Sequence, residues 1–173
     1  MSSPASIASA DAMRGKGIQL FLGDHYMRKL FWALPLLLAC VTPAMADKVL
    51  IESPDAPKAI GPYSQAIRSG KLVFLSGSLP FDPVGKTDYA KEDVTAQTRR
   101  AIDNIALTLK AGAMTLDDVV SATVYVTDID DFPAVNAVYA SYFKPPYPAR
   151  TFVQVAKLLR GVKVEITVTA ASK

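Results

Sequence analysis

The sequence predicts an α+β sandwich, two helices on one face of a mixed or antiparallel sheet. Three observations predict it. Several short runs rich in β-branched residues alternate apolar with polar positions, and two longer stretches carry helical spacing. The two kinds of segment interleave in the order ββαβαββ, with KVLIES (48–53) as a further short strand. No repeat, low-complexity tract or linker interrupts residues 47–173, which therefore read as one domain.

Each element has its own signal. LVFLSG, from Leu72 to Gly77, is a short apolar run closed by a turn, which predicts a buried strand. YSQAIRSG before it alternates weakly and ends in Ser69-Gly70, predicting its hairpin partner. LPFDPVGK, punctuated by Pro80, Pro83 and Gly85, is a loop. From about Glu92 to Ala111, Val94, Ala101, Ile105 and Leu109 form one helical stripe, with Arg99, Arg100, Asp103 and Lys110 mostly outside it. Glu92 and Asp93 complement the dipole at its start, and Gly112 is its stop. Asp118 to Asp128 reads as a strand whose Ala122, Val124 and Val126 oppose Ser121, Thr123, Tyr125 and Thr127. DDFPAVNAVYASYF predicts a second helix, with Asp131 as cap, Pro133 in the first turn, and Phe132, Val135, Tyr139 and Tyr142 at helical spacing. PARTFVQVA and VKVEITVTA are the last two strands.

The first 46 residues differ from the rest. From Met27, the basic pair Arg28-Lys29 precedes an apolar run, Leu30 to Val41, and then Ala44-Met45-Ala46. That is the layout of a secretory signal peptide, with cleavage after Ala46 and residues 1–26 a non-native or disordered extension. The run is shorter than the ~20 residues of a spanning helix, and Pro35 interrupts it. A disordered leader before an uncleaved anchor is the alternative. Lipidation at Cys40 is a minor one, because Leu37-Leu38-Ala39 makes a poor lipoprotein signal. The expected location is the bacterial periplasm, where a mature form without disulfides is unexceptional.

His25, Trp32 and Cys40 are the chain's only histidine, tryptophan and cysteine, and all three lie before residue 47. Residues 47–173 therefore offer no Ser-His-Asp triad, thiol nucleophile, disulfide, or zinc site of His and Cys. Their 15 Lys and Arg against 14 Asp and Glu leave no charge that argues for nucleic acid or an anionic membrane.

PYPARTFVQVAK, 146–157, puts a charge into a strand: Arg150 shares one side with Phe152, Gln154 and Ala156. On the last strand, Val162, Val164, Ile166 and Val168 suit packing against helices, while Lys163, Glu165, Thr167 and Thr169 point away. If these two strands pair, the sheet face away from the helices carries Arg150, Phe152, Gln154 and Glu165, a mixed face suited to a subunit interface with a site in it. The pattern leaves open whether Arg150 and Glu165 are a structural ion pair or whether Arg150 awaits a ligand's carboxylate. GPYSQ and SGSLP read as turns, and Tyr63 as a packing residue or a ligand contact.

AIGPYSQAI, LVFLSGSLPFDP, VVSATVYVTDIDDFPAVNAVYASYF, PARTFVQVAKL and VKVEI follow one another as do the landmarks of the Rid (YjgF/YER057c/UK114) family, which the chain resembles from about Ile51 to Ala171. The resemblance implies a chorismate-mutase-like sandwich forming a homotrimer with three clefts between subunits. It implies hydrolysis of reactive enamines and imines, such as 2-aminoacrylate, to 2-oxo acids and ammonia, with no metal and no cofactor. It places a substrate-binding arginine at Arg150 and the acidic residue that manages water or proton at Glu165. Tyr63, Ser76, Gly77 and Phe152 would line the cleft. The sequence departs from the family pattern at Phe152, where cysteine is common, and at Gln154, where an acidic residue is common.

The residue types fit that chemistry. A guanidinium grips a carboxylate through two parallel hydrogen bonds, and a protonated imine accepts water without a covalent nucleophile. The competing readings are a non-catalytic trimer binding a small carboxylate in the same cleft, and an endoribonuclease or translation inhibitor. The second lacks a basic stripe with interleaved aromatics, and 47–173 lack histidine.

Overall fold

The computed structural model describes residues 47–84 and 88–172. The expectations for 1–26, for the signal peptide at 27–46 with Cys40, and for the loop around Gly85 lie outside these residues. The strands are β1 (Lys48–Ile51), β2 (Ala66–Ser69), β3 (Leu72–Leu75), β4 (Val119–Val126), β5 (Ala149–Gln154) and β6 (Val164–Ala171). The helices are α1 (Val94–Ala111) and α2 (Phe132–Tyr142). No helix among the described residues is long and apolar enough to cross a membrane.

The strands form one sheet in the order β1-β2-β3-β6-β4-β5. Only β4 and β5 run parallel. Their connection contains α2, and a helical crossover returns the chain beside β4 in the same direction. β6 then runs antiparallel to β4 on its other side. β4 thus stands between the strands of Arg150 and Glu165, and the direct pairing considered for those two strands does not occur.

Alternation places the core. Ala122, Val124 and Val126 of β4 and Val164, Ile166 and Val168 of β6 are buried beneath the helices. Ile102, Ile105 and Leu109 supply the α1 side, each worth about 1.5–3 kcal/mol for its burial. β3 is half-buried rather than buried: Val73 and Leu75 face the core, while Leu72 and Phe74 are exposed on the uncovered face.

The ends of α1 follow the sequence signals. The Asp93 carboxylate accepts from the Ala96 N–H at 2.8 Å, and Gly112 closes the helix. Asp131 does not cap α2. A 3₁₀ turn over Ile129–Asp131 runs straight into the helix, so Asp131 is itself helical and its side chain caps nothing. The Tyr142 hydroxyl donates to Asp103 at 2.8 Å, tying α2 to α1.

Candidate functional site

The six residues singled out by the sequence fall into two groups, and the strand registers set Arg150 and Phe152 on the opposite sheet face from Glu165. In the β4–β5 register Arg150 stands opposite Ala122 and Phe152 opposite Val124, so both share the face that the helices cover. In the β4–β6 register Glu165 stands opposite Tyr125, on the uncovered face. The expectation that Arg150, Phe152, Gln154 and Glu165 share the uncovered face is therefore wrong. It assumed direct pairing of their strands, and the intervening β4 fixes the opposite phase.

Arg150 sits half-buried on the edge strand β5, against α2. One Nη2–H donates to Asn136 Oδ1 at 2.8 Å. The guanidinium carbon lies 4.6 Å from the ring centre of Tyr139, 5.8 Å from Phe132 and 6.0 Å from Phe152. Phe132 and Phe152 meet edge to face at 5.0 Å. Such rings orient a cation through the charge distribution of their faces. Among the described residues Arg150 pairs with no carboxylate, so it forms no ion pair with Glu165. Of its five N–H groups, one is used on Asn136 among the described residues. Burial pushes the Tyr139 hydroxyl above its ordinary pKa, against the opposing field of Arg150.

Phe132, Asn136 and Tyr139 escaped sequence reasoning as site residues. The available signal was Asn136 itself, a polar side chain one turn from Phe132 and close to Tyr139 on the same helical stripe. Gln154, on the same face of β5 as Arg150, accepts from the Ile129 N–H at 3.2 Å and so pins the turn that leads into Phe132.

The second group is built around Gly77. After β3, the Ser76 N–H donates to Gln65 O at 3.0 Å and its Oγ donates to Ser64 O at 2.7 Å. Ser78 exchanges two backbone hydrogen bonds with Ile166, so Ser76–Ser78 lies along β6. This brings Gly77 against the neighbouring Glu165: a Cβ at 77 would overlap Oε1 and stand 2.8 Å from Cδ. Any side chain at 77 would have to displace the Glu165 carboxyl. The Glu165 carboxyl accepts no hydrogen bond and forms no ion pair among the described residues, and burial pushes its pKa above the ordinary carboxylate value. It lines a shallow hollow with Gly77, Tyr125, Lys157 and Thr167.

Tyr63 is exposed on the Gly61-Pro62 turn, and its hydroxyl accepts from the Ile60 N–H at 3.2 Å. With Ser76, Gly77, Lys58 and Asn104 it lines a second, small hollow of about 60 Å³. Asn104, on α1, donates to Leu79 O and Phe81 O, both at 3.0 Å, and so holds the segment after Gly77 in place. Gly77 borders both hollows, which links Tyr63, Ser76 and Glu165 into one group. Arg150 and Phe152 stand apart from it.

The family model described as Endoribonuclease L-PSP matches residues 53–172. A 2-iminobutanoate/2-iminopropanoate deaminase of Salmonella typhimurium is 40% identical over 126 residues, covering 71% of this chain and 97% of the relative. Reactive Intermediate Deaminase A, chloroplastic, of Arabidopsis thaliana is 39% identical over 153 residues, 88% of this chain and 81% of the relative. Among solved structures, E. coli TdcF with bound serine superposes with a TM-score of 0.68 at 38% identity, covering 73% of this chain and all of that one.

Proposed function

The chain belongs to the endoribonuclease L-PSP family, also called the Rid or YjgF/YER057c/UK114 family, and we propose that it hydrolyses reactive 2-imino acids and their enamine tautomers to 2-oxo acids and ammonia. The observation that carries this reading is Arg150, a guanidinium fixed by Asn136 and three aromatic rings and left without a carboxylate among the described residues. A fork of parallel N–H donors matches the carboxylate of an imino acid. The serine bound by TdcF carries the same carboxylate.

Hydrolysis then needs only water and proton transfer. Water adds to C2 of the protonated imine, and the resulting carbinolamine expels ammonia as its hydroxyl proton departs. Glu165 is the group for those transfers. Its burial-raised pKa brings acid and base forms closer to neutrality than an ordinary carboxylate allows. Gly77 borders it, and Tyr63 and Ser76 line the adjoining hollow that Gly77 shares.

Opposite faces of one sheet cannot close on one small ligand. We therefore assign the complete cleft to two subunits of a homotrimer, Arg150 and Phe152 from one and Tyr63, Ser76, Gly77 and Glu165 from its neighbour. The exposed Leu72 and Phe74 on the uncovered face support such an assembly. Export through a signal peptide at 27–46 is part of the same proposal. Mass analysis of the secreted chain tests it, with Asp47 as the expected first residue.

The deciding experiment supplies 2-aminoacrylate in place with a serine lyase and follows release of 2-oxo acid. Acceleration is expected with the protein, and loss of it with Arg150→Ala and with Glu165→Ala. Glu165→Ala should still bind a 2-oxo acid, whereas Arg150→Ala should not. Ligand binding without acceleration favours the non-catalytic trimer.

A further inference from the structure

Beside the guanidinium of Arg150 the protein presents aromatic surface that its own fold does not use up. Phe132 opens α2 and remains 42% exposed. It meets Phe152 edge to face at 5.0 Å with an interplanar angle of 82°, and the guanidinium carbon lies within about 6 Å of both ring centres. The wall is held from both ends. Phe152 packs partly against the core from β5, and Gln154 on the same strand fixes the Ile129 N–H at the start of the turn that delivers Phe132. Two rings locked edge to face, one with its surface open, form the partial cluster that a third ring or a branched apolar group completes.

From this arrangement we infer that the site selects 2-imino acids with an aromatic or large apolar side chain, with Phe132 as a specificity-determining residue. The inference rests on Arg150 as the carboxylate anchor. A ligand whose carboxylate is on Arg150 has its C2 one bond beyond, and the substituent on C2 falls within reach of rings about 6 Å from the guanidinium. A methyl substituent leaves Phe132 open to water. A benzyl or isobutyl substituent removes apolar surface from water on both partners, which favours the larger ligand. The Asn136 oxygen at this face is already taken up as acceptor for Arg150.

The test compares imines generated in place by an L-amino-acid oxidase from L-phenylalanine, L-leucine and L-alanine, with hydrolysis followed as ammonia release beyond the uncatalysed rate. Selectivity is the ratio of kcat/KM for the phenylalanine-derived imine to that for the alanine-derived one. A ratio above one is expected for the protein, falling about tenfold in Phe132→Ala, the scale on which a pocket discriminates small apolar differences. A merely structural role for Phe132 would lower both rates together and leave the ratio intact. Phe132→Leu, a milder change, provides the same readout should the alanine variant fold poorly. A ratio at or below one, or one unmoved by either variant, overturns the inference and leaves the deaminase reading standing. Should neither imine be hydrolysed, the deaminase reading fails, and calorimetric binding of 3-phenylpyruvate against pyruvate decides the inference: tighter 3-phenylpyruvate binding that weakens in the Phe132 variants supports it, and equal affinities overturn it.

Discussion

Glu165 occupies the space that any side chain at Gly77 would need, its Cδ standing 2.8 Å and its Cγ 3.2 Å from where a Cβ would lie. The glycine therefore leaves the carboxylate the space it occupies. Gly77→Ala must displace the Glu165 side chain, and because the carboxyl end can swing into the hollow beside it the cost is about 1 kcal/mol, the low end of overpacking. Thermal denaturation should show that loss, and it should shrink in the Gly77→Ala, Glu165→Ala double variant, where the overlap is gone. Additive effects in the double variant would contradict the contact.

The burial of Glu165 predicts a pH signature in stability. Its folded pKa is raised, so the protonated form suits the fold better than the ionised one. The group contributes its full stability below the unfolded value of about 4.5 and loses it as pH rises through the folded pKa. Glu165→Gln, always neutral, should thus be more stable than the parent at pH 7 and equal to it at about pH 4. Urea denaturation at the two pH values measures this. A variant less stable at pH 7 would mean that the carboxylate has a stabilising partner in the assembled protein.

Arg150 acts as a fork, so charge alone should not replace it. Arg150→Lys keeps the cation but loses the planar donor pair and the stacking on Tyr139. Affinity for a 2-oxo acid should fall by about tenfold or more, corresponding to ~1.4 kcal/mol or more. Asn136→Ala should produce a smaller loss of the same kind, since it frees one Nη2 donor and leaves the charge in place. Titration calorimetry on both variants ranks them; equal losses would mean that the orientation of the guanidinium matters as much as its identity.

How far the sequence foretold these arrangements depends on the range of the interaction. The two ends of α1, the hairpin at Ser69-Gly70 and the buried faces of β4 and β6 were legible because period and turn chemistry are local. The side of the sheet on which Arg150 falls was not. Alternation says which residues share a face with Arg150, but only the register to β4 says which face that is, and register is a long-range property. Asp131 failed as a cap for a related reason: the preceding 3₁₀ turn, stabilised by Asp128 accepting from the Asp130 N–H, moved the helical conformation one turn earlier. The closeness of Gly77 to Glu165 joins residues far apart in sequence and left no trace in either segment alone.

Separation of Arg150 and Glu165 onto opposite faces gives the strongest test of the shared cleft. If each cleft takes its arginine from one subunit and its carboxylate from the next, Arg150→Ala and Glu165→Ala abolish turnover for different reasons and can complement each other. Mixed trimers from a denatured and refolded equimolar mixture contain clefts in which an intact Arg150 from the Glu165 variant meets an intact Glu165 from the Arg150 variant. Random assembly makes about one cleft in four of this kind, so the mixture should recover about a quarter of the parent's activity while each variant alone stays inactive. Phe74→Asp introduces a charge on the uncovered face, where Phe74 is 47% exposed, and should shift sedimentation toward monomer and prevent recovery in the same mixture. Assembly without recovery would place both residues of a functional site within one chain and remove the basis for a cleft between subunits.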